Sequence, residues 1–595
     1  MKKAAILFLF ILTSNLFSQT EPLIQNIEGR KIVSLNGSWH IIIDPYETGY
    51  YDYRSKPDPN GYYRNSKPKS KTDRIEYDFD KSETLNVPGD WNSQKEKLFF
   101  YEGTVWYKKS FDWTKNNSRV FIYIGAANYN CRVFINGKEI GNHIGGFTPF
   151  NFEITNQLKN GENFIIIKVD NKRYREAVPT LITDWWNYGG ITRDVDIVEV
   201  PNTFIQDYFI QLKKGSTDKI EATVQLNGKD LKQKIHIKIP ELNIDKTVSA
   251  NENGFGRMEF DSSLELWSPK NPKTYDVIIE SETDKVADKI GFRSIEAKGT
   301  EILLNGKPIF LKGICIHEEA PFRNGRAYSV EDAKTLLGWV KELGCNFVRL
   351  AHYPHNENMI RQAEKMGILV WSEIPVYWTI QWENESTFEN AANQLNEMIS
   401  RDKNRAPIIL WSVANETPRE DSRLDFLKRL IKRAKKLDST RLITAATEIH
   451  YINSNTIMLD DPLGEYLDVL GCNEYIGWYD GLPAKADTIN WKNSFNKPLI
   501  ISEFGGGAKY GFHADTLTVW SEEFQENIYK HQVKMLSKIP FLRGMTPWIL
   551  MDFRSPRRPL PEIQDFFNRK GLISNKGEKK KAFFILQKFY NEMNK

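Results

Sequence analysis

After residue 295 the chain alternates between short apolar runs and amphipathic patterns with helical periodicity. Eight apolar runs are predicted as strands, at residues 309–317, 346–353, 368–375, 407–416, 442–449, 467–475, 497–504 and 542–552. Helical patterns lie between most of them, as at 330–337 and 423–431, but the helix between the sixth and seventh runs is short or absent. Strand–helix units repeated in this way over about 300 residues predict a (β/α)8 barrel, the TIM barrel.

Two of the predicted strands, the fourth and the seventh, end in a glutamate. Glu416 closes the run IILWSVANE, and Glu503 closes the run LIISE before Phe504 and three glycines. Barrels of this kind carry their chemistry at the carboxyl ends of the strands. Two carboxylates there are the minimum needed to hydrolyse a glycosidic bond. A single glutamate more often caps a strand end or forms a salt bridge, but a pair on two strands favours catalysis.

The part of the chain before the barrel has the pattern of β-sandwiches. Strand-like runs at 121–125, 131–135 and 164–169, with a hairpin turn at Asn136 and Gly137, predict a jelly roll. From Pro201 onwards, apolar and polar residues alternate at 223–226 and 235–239, which predicts a small immunoglobulin-like sandwich. The fold class is therefore a multidomain chain, all-β followed by α/β. We expect domains at 19–200, 201–296 and 297–595.

Composition and the N-terminus narrow the class of protein. The net charge of +4 over 595 residues is close to balanced, which argues against a nucleic-acid-binding protein. Residues 1–18 combine Lys2 and Lys3 with a short apolar run and a small-residue cleavage site, so they predict a signal peptide. No cysteine follows that would mark a lipid anchor, and no segment predicts a membrane span. We therefore expect an exported protein, periplasmic or secreted.

The four cysteines are Cys131, Cys315, Cys345 and Cys472. Their spacing contains no C-x-x-C pair, so it suggests neither a zinc site nor a redox pair. Most of them lie in apolar runs and are interpreted as small core residues, although a disulfide stays open.

Four motifs resemble those of glycoside hydrolase family 2, which includes β-galactosidases and β-glucuronidases. WSVANE at 411–416 resembles the acid/base strand of that family, and SEFG at 502–505 resembles its nucleophile strand. VRLAHYP at 348–354 resembles its second barrel strand. DWWNYGGITR at 184–193 resembles the jelly-roll loop that reaches the barrel mouth. The family has the same order of domains, so the resemblance covers the whole mature chain.

The resemblance implies roles for these residues. Glu416 would be the acid/base and Glu503 the nucleophile, with the carboxyl groups about 5–5.5 Å apart and the configuration retained. Asn415 would bind the sugar 2-hydroxyl. His352 would contact the sugar or orient a catalytic carboxylate, with a satisfied core histidine as the alternative.

Further residues are placed near the site by the same resemblance. His317 and Glu318 follow the first strand on the active face, and Asp184 would bind sugar hydroxyls from outside the barrel. Tyr475 and Tyr479 lie in a loop that resembles the one after the sixth strand of β-glucuronidases. On the eighth strand, Trp548 would be the floor under the sugar ring, or a plain core residue.

The choice of sugar depends on Asn568 and Lys570, which resemble the Asn-x-Lys motif that clamps the sugar carboxylate in β-glucuronidases. An ammonium and an amide can hold a carboxylate, whereas a neutral galactose offers the lysine no partner. Arg554, Arg557 and Arg558 add positive charge nearby, unless the loop is simply a solvated basic surface.

The sequence thus predicts an exported, retaining exo-β-glycosidase, most like a β-glucuronidase or related uronidase, acting on plant or algal oligosaccharides. Two alternatives are a β-galactosidase of the same family and a non-catalytic carbohydrate-binding protein. We expect a glycoside as the partner, with no nucleic acid, no required metal and no cofactor. Homo-oligomerisation stays open.

Overall fold

The computed structural model describes residues 22–593. The predicted signal peptide at 1–18 therefore lies outside the described residues. Within 22–593, two antiparallel β-sandwiches precede a parallel barrel, so the predicted order of a jelly roll, an immunoglobulin-like sandwich and a (β/α)8 barrel is confirmed. No helix in that range is long and apolar enough to cross a bilayer.

The first sandwich has a four-stranded and a six-stranded sheet. The smaller sheet has the order Lys31–Ser34, Val195–Val200, Arg119–Ile124 and Phe150–Glu153. The larger sheet has the order Thr84–Val87, Gly37–Asp44, Thr104–Trp113, Gly161–Asp170, Asn130–Ile135 and Lys138–Ile144. Ala127–Asn128 pairs with Gly190–Ile191 beside them. The expected hairpin turn is present, because Asn136 and Gly137 both have positive φ, at 51° and 82°.

The second sandwich also consists of two antiparallel sheets. One contains Phe204–Leu212, Lys219–Asn227 and Phe255–Asp261. The other has the order Ile244–Ser249, Lys234–Ile239, Tyr275–Glu280 and Lys285–Ile290. In Lys219–Asn227, buried residues alternate regularly with half-buried ones, which is the period-two pattern of a strand with one face on a core.

The barrel strands form a parallel ring. In chain order they are Leu311–Lys312 with Cys315–Ile316, Phe347–Leu350, Leu369–Glu373, Ile408–Asn415, Leu442–Thr447, Leu470–Asn473, Leu499–Glu503 and Leu542–Met545. The first strand is split: one piece pairs with the eighth strand and the other with the second, which closes the ring. A small sheet of Ile295–Lys298, Glu301–Leu304 and Lys307–Pro308 precedes it.

Among residues 22–593, six α-helices surround the ring, and most of them follow the predicted alternation. They are Val330–Glu342, Glu357–Met366, Glu385–Asp402, Asp421–Leu437, Glu522–Leu536 and Lys581–Glu592. The gap after the sixth strand holds only the 3-10 turn Pro483–Thr488, as the weak helical pattern there predicts. The gap after the fifth strand also lacks an α-helix and instead carries the hairpin His450–Asn453 and Thr456–Leu459. The four cysteines are buried free thiols.

A buried ion cluster joins the second sandwich to the barrel. Arg405, just before the fourth barrel strand, pairs with Asp288 of the sandwich and with Glu364 of a barrel helix, the latter at 3.2 Å. All three side chains are nearly inaccessible to solvent. Arg361 lies 3.8 Å from Asp288, but the removal of Arg405 takes away the nearer cation of Asp288 and the ion-pair partner of Glu364.

We expect Arg405→Met to lower the free energy of unfolding by about 3 kcal/mol, because a broken buried ion pair costs far more than an exposed one. Urea unfolding followed by tryptophan fluorescence measures the change. Lys289→Ala is the matched control, since Lys289 pairs with Asp276 at 2.7 Å where both side chains are largely exposed. Its effect should stay within about 0.5 kcal/mol. Equal effects of the two variants would contradict a structural role for the cluster.

Candidate active site

The fourth and seventh barrel strands bring the two predicted glutamates to one face. Glu416 directly follows Ile408–Asn415 with a positive φ of 49°, and Glu503 is the last residue of Leu499–Glu503. Burial raises the pKa of Glu503, and the negative charge of Glu416 raises it further. The two carboxylates therefore interact electrostatically across the barrel mouth, which is the arrangement expected of a pair that works on one bond.

Three side chains approach the carboxylate of Glu503. Arg349 donates to Oε1 at 2.8 Å, and the Tyr475 hydroxyl donates to Oε2 at 2.7 Å. Nε2 of His352 lies 3.6 Å from Oε1. These contacts pull the pKa of Glu503 down, but burial is the larger effect and the pKa stays above its usual value.

Arg349 binds groups from several strands at once. Its guanidinium donates to both oxygens of Glu373 at 3.2 and 3.0 Å, and to Oδ1 of Asn415 at 2.6 Å. The residue is completely buried. The prediction did not include Arg349 or Glu373. Glu373 ends the third barrel strand, so the signal that singled out Glu416 and Glu503 could have found it.

The side-chain amide of Asn415 is hydrogen-bonded through its oxygen but not through its nitrogen. Its Oδ1 accepts from Arg349 and, at 3.3 Å, from Nδ2 of Asn473. Its Nδ2 is buried and has no hydrogen-bond partner within residues 22–593. A buried donor left open in this way is costly unless a ligand accepts from it, so the geometry suits a contact to a sugar hydroxyl.

His352 lies between the carboxylate of Glu373 and the aromatic ring of Trp548. Its Nδ1 is 2.9 Å from Oε1 of Glu373, and its ring stacks on Trp548 with centroids 4.8 Å apart. Trp548 is buried beside it but does not lie on the eighth strand as predicted, since that strand ends at Met545. The chain leaves the sheet earlier there and places Trp548 in the following loop.

The two residues after the first strand have different surroundings. Nδ1 of His317 is 3.1 Å from the hydroxyl of Tyr353, its Nε2 has no partner in the described part of the chain, and burial lowers its pKa. Glu318 instead pairs with Arg193 of the jelly roll at 3.2 Å and with Arg326 at 3.4 Å. Its carboxylate therefore bonds across the interface between the jelly roll and the barrel.

Asp184 reaches the barrel mouth from the jelly roll, but other protein groups engage its oxygens. Ser555 donates to Oδ1 at 2.6 Å, and Nδ2 of Asn568 donates to Oδ2 at 3.0 Å. Arg558 makes a two-bond ion pair with the same carboxylate. The contacts of Asp184 within the protein are thus to residues 554–568, which we call the basic loop. Through these contacts Asp184 positions Asn568 and Arg558.

Lys570 is a buried cation with no ion pair among residues 22–593. It is 4% exposed, and its Nζ donates to the hydroxyl of Tyr479 at 2.8 Å. The ammonium also lies 4.7 Å from the centroid of the Tyr479 ring and 5.1 Å from that of Tyr475. Burial opposes ionisation of Tyr479, but Lys570 and Arg558 outweigh it and lower the pKa of that phenol.

Trp378 is a neighbour of Glu416 that the prediction did not include. Its indole Nε1 donates to Oε2 of Glu416 at 2.9 Å, and its backbone N–H donates to the carbonyl of Asn415 at 2.9 Å. No motif marks this tryptophan, which simply follows the third strand. Within the described residues there is also no cluster of three or more histidine, cysteine or acidic side chains that could hold a metal ion.

Three family models together match nearly all of the described chain. They are "Glycosyl hydrolases family 2, sugar binding domain" at 32–201, "Glycosyl hydrolases family 2" at 203–293 and "Glycosyl hydrolases family 2, TIM barrel domain" at 295–595. The chain belongs to glycoside hydrolase family 2. It is an enzyme of the β-glucuronidase-like kind within that family.

Curated relatives and solved structures agree with this family 2 assignment. A β-glucuronidase of Paenibacillus borealis is 26% identical over 565 residues, which cover 86% of this chain and 91% of the relative. A putative β-glucuronidase of Formosa agariphila is 27% identical over 566 residues, which cover 86% of this chain and 67% of the relative. The β-D-glucuronidase structure of Dictyoglomus thermophilum matches with a TM-score of 0.77 and 25% identity over 96% of this chain and 98% of that one.

A second solved structure resembles this family 2 chain in fold alone. The β-galacturonidase of Eisenbergiella tayi has a TM-score of 0.79 at 22% identity, over 96% of this chain and 98% of that one.

We expect Arg349→Lys to reduce kcat on a β-glycoside at least about 100-fold, because lysine cannot hold Glu503, Glu373 and Asn415 in one planar fork. Steady-state kinetics on the purified variant measures this loss. Arg441→Lys is the matched control: Arg441 is equally buried and pairs with Asp438 at 3.2 Å, at the start of the fifth strand.

Both Arg→Lys variants should unfold more easily, but only Arg349→Lys should lose turnover. A similar fall of kcat in both would mean that the loss reflects general destabilisation rather than the position of Glu503.

Proposed function

We propose that this protein is an exported, retaining exo-β-uronidase that removes terminal β-linked glucuronic acid, or a closely related uronic acid, from oligosaccharides. The observation that carries the proposal is the buried ammonium of Lys570, which forms no ion pair within residues 22–593. A buried cation is costly unless an anion pairs with it. The carboxylate of a bound uronic acid would supply that anion.

The surroundings of Lys570 support a carboxylate rather than a hydroxymethyl group. Asn568 accepts from the backbone N–H of Lys570 at 3.1 Å and is fixed by Asp184 through its Nδ2. The base of the loop is a short hairpin in which Phe553 pairs with Asn568. An ammonium, an amide and a phenol held by such contacts fit a charged acceptor better than a neutral one.

The exo mode is supported by contacts that close this end of the cleft. The jelly-roll loop and the basic loop are joined by the Asp184–Arg558 pair and by a bond from the N–H of Trp186 to the carbonyl of Arg554 at 3.0 Å. Two loops joined in this way support a closed end of the cleft, at which the uronic acid that Lys570 holds would be a terminal residue.

The mechanism follows from the groups around the two glutamates. Glu503 attacks the anomeric carbon while Glu416 protonates the leaving oxygen, and the sugar is then bound to Glu503 through an ester. Water, deprotonated by Glu416, next displaces Glu503 and restores both residues. Two inversions give net retention. The free Nδ2 of Asn415 is a donor for the sugar 2-hydroxyl as charge develops on the ring.

Export and an oligosaccharide substrate are proposed from the sequence pattern at residues 1–18. That segment has the basic, apolar and small-residue regions of a signal peptide. An exported uronidase would meet polymeric or oligomeric uronides outside the cytoplasm.

The first test is turnover of 4-nitrophenyl β-D-glucuronide, β-D-galacturonide and β-D-galactoside by the wild type. We expect a uronide to be cleaved and the galactoside to be a poor substrate. In Lys570→Met, kcat/KM on the uronide should fall about 100- to 1,000-fold, because one partner of a buried charge pair is lost. Any slow galactoside turnover should change little.

Lys576→Met is the matched control, because Lys576 is an exposed lysine six residues further along the chain. It should keep full uronidase activity. Cleavage of the galactoside alone would contradict the uronidase proposal while leaving the two-glutamate mechanism intact. Proton NMR of the reaction should show the β-anomer of the free sugar first, and release of the α-anomer would contradict retention.

The hydroxyl of Tyr475 stabilises the ionised form of Glu503, so its removal has a predictable sign. In Tyr475→Phe the pKa of Glu503 should rise. Since the nucleophile must be ionised, activity is lost as pH falls through this pKa. The acidic limb of the kcat/KM profile should therefore move to higher pH, by about 0.5–1 unit.

Tyr451→Phe is the control for this shift, since the hydroxyl of Tyr451 bonds Asp480 at 2.6 Å on the rim rather than Glu503. Its pH profile should match that of the wild type. A displacement of the acidic limb to lower pH in Tyr475→Phe would contradict the assigned role of the hydroxyl.

A further inference from the structure

A stack of aromatic and guanidinium groups lies beside Glu416. The Trp378 indole, which donates to Glu416 at 2.9 Å, packs on Tyr377 with ring centroids 4.4 Å apart. The guanidinium of Arg557 lies over the same indole, 4.6 Å from the ring centroid. Trp378 thus has Tyr377 and Arg557 as ring neighbours and Glu416 at its N–H.

Arg557 is a cation without a carboxylate partner among residues 22–593. It is exposed, and its guanidinium lies over the Trp378 ring. The other two arginines of the basic loop are occupied. Arg558 pairs with Asp184, and Arg554 lies against two phenylalanine rings and bonds Asn324. Of the three, Arg557 is the one whose guanidinium edge is open to a ligand.

We propose that Arg557, held by Trp378, forms a subsite for an anionic group on the sugar that leaves. The inference rests on the proposed function, because it assigns the aglycone of that same reaction. Glu416 protonates the oxygen that joins the uronic acid to the next sugar. That next sugar therefore has to lie beside the groups that flank Glu416, which are Trp378 and, through it, Arg557.

The chemistry of Arg557 selects an oxyanion. A guanidinium presents several N–H donors in one plane and binds oxyanions with two parallel hydrogen bonds. Packing on the indole restricts its rotamers, so less conformational entropy is lost when a ligand binds. A sulfate ester and a uronic carboxylate share this chemistry, so both belong to the ligand class that the subsite would take.

The test compares pairs of β-glucuronosyl disaccharides that differ only in the leaving sugar: neutral, sulfated, or a uronic acid. We expect the wild type to favour an anionic member over the neutral one by about tenfold in kcat/KM, and Arg557→Ala to bring that ratio close to one. The preference should also weaken between about 0.05 and 0.5 M salt, because an exposed charge is screened. The larger of the two anionic ratios identifies sulfate or carboxylate.

Arg557→Lys should keep part of the preference, since it keeps the charge but not the planar fork. Arg74→Ala, which removes an exposed arginine of the jelly roll, should leave all ratios at their wild-type values. A wild-type ratio near one, or a ratio that survives in Arg557→Ala, would overturn the subsite. If the wild type cleaves neither a β-glucuronide nor a β-galacturonide, the proposed function fails, and the subsite with it. If only the galacturonide is cleaved, the same comparison is made with β-galacturonosyl disaccharides. Cleavage of a uronide without charge preference overturns the subsite alone.

Discussion

The site depends on one buried guanidinium. Arg349 lies on the second strand and binds Glu373 of the third, Asn415 of the fourth and Glu503 of the seventh. Charges in a dry interior interact strongly and are costly when unpaired. Any movement of Glu503 would therefore break a network that spans four strands. The geometry of the proposed nucleophile is set by electrostatics across the barrel rather than by its own strand.

A second, separate network sets the end of the site where Lys570 lies, at which we propose that a uronic carboxylate binds. Asp184 comes from the jelly roll, and its partners Ser555, Arg558 and Asn568 come from the loop after the eighth strand. The first sandwich thus contributes directly to the geometry of the barrel mouth in this chain. The barrel alone would hold the two glutamates, but the loop that contains Asn568 and Lys570 is fixed by contacts from outside it.

Local pattern was enough to predict the fold and the strand-end residues. Strand periodicity, with Glu416 and Glu503 at strand ends, requires only neighbours in sequence. The surroundings of those residues depend on long-range contacts: Trp378 and Arg557 lie in contact although they are far apart in the sequence. The same holds for Glu318, whose partner Arg193 lies on another domain. The residues next to Glu318 in the sequence do not indicate which distant residue forms an ion pair with it.

The cations around the site differ in what already pairs with them, and this difference determines what each can bind. Arg349 and Arg558 hold protein carboxylates, so they position groups and have little left for a ligand. Lys570 and Arg557 form no ion pair in the described chain, one buried and the other exposed. Because Lys570 is buried, its charge needs an anion as a partner. Because Arg557 is exposed, it would give only a modest preference for anionic ligands, and salt would weaken that preference. Two anionic groups on adjacent sugars would satisfy both, one on each side of the scissile bond.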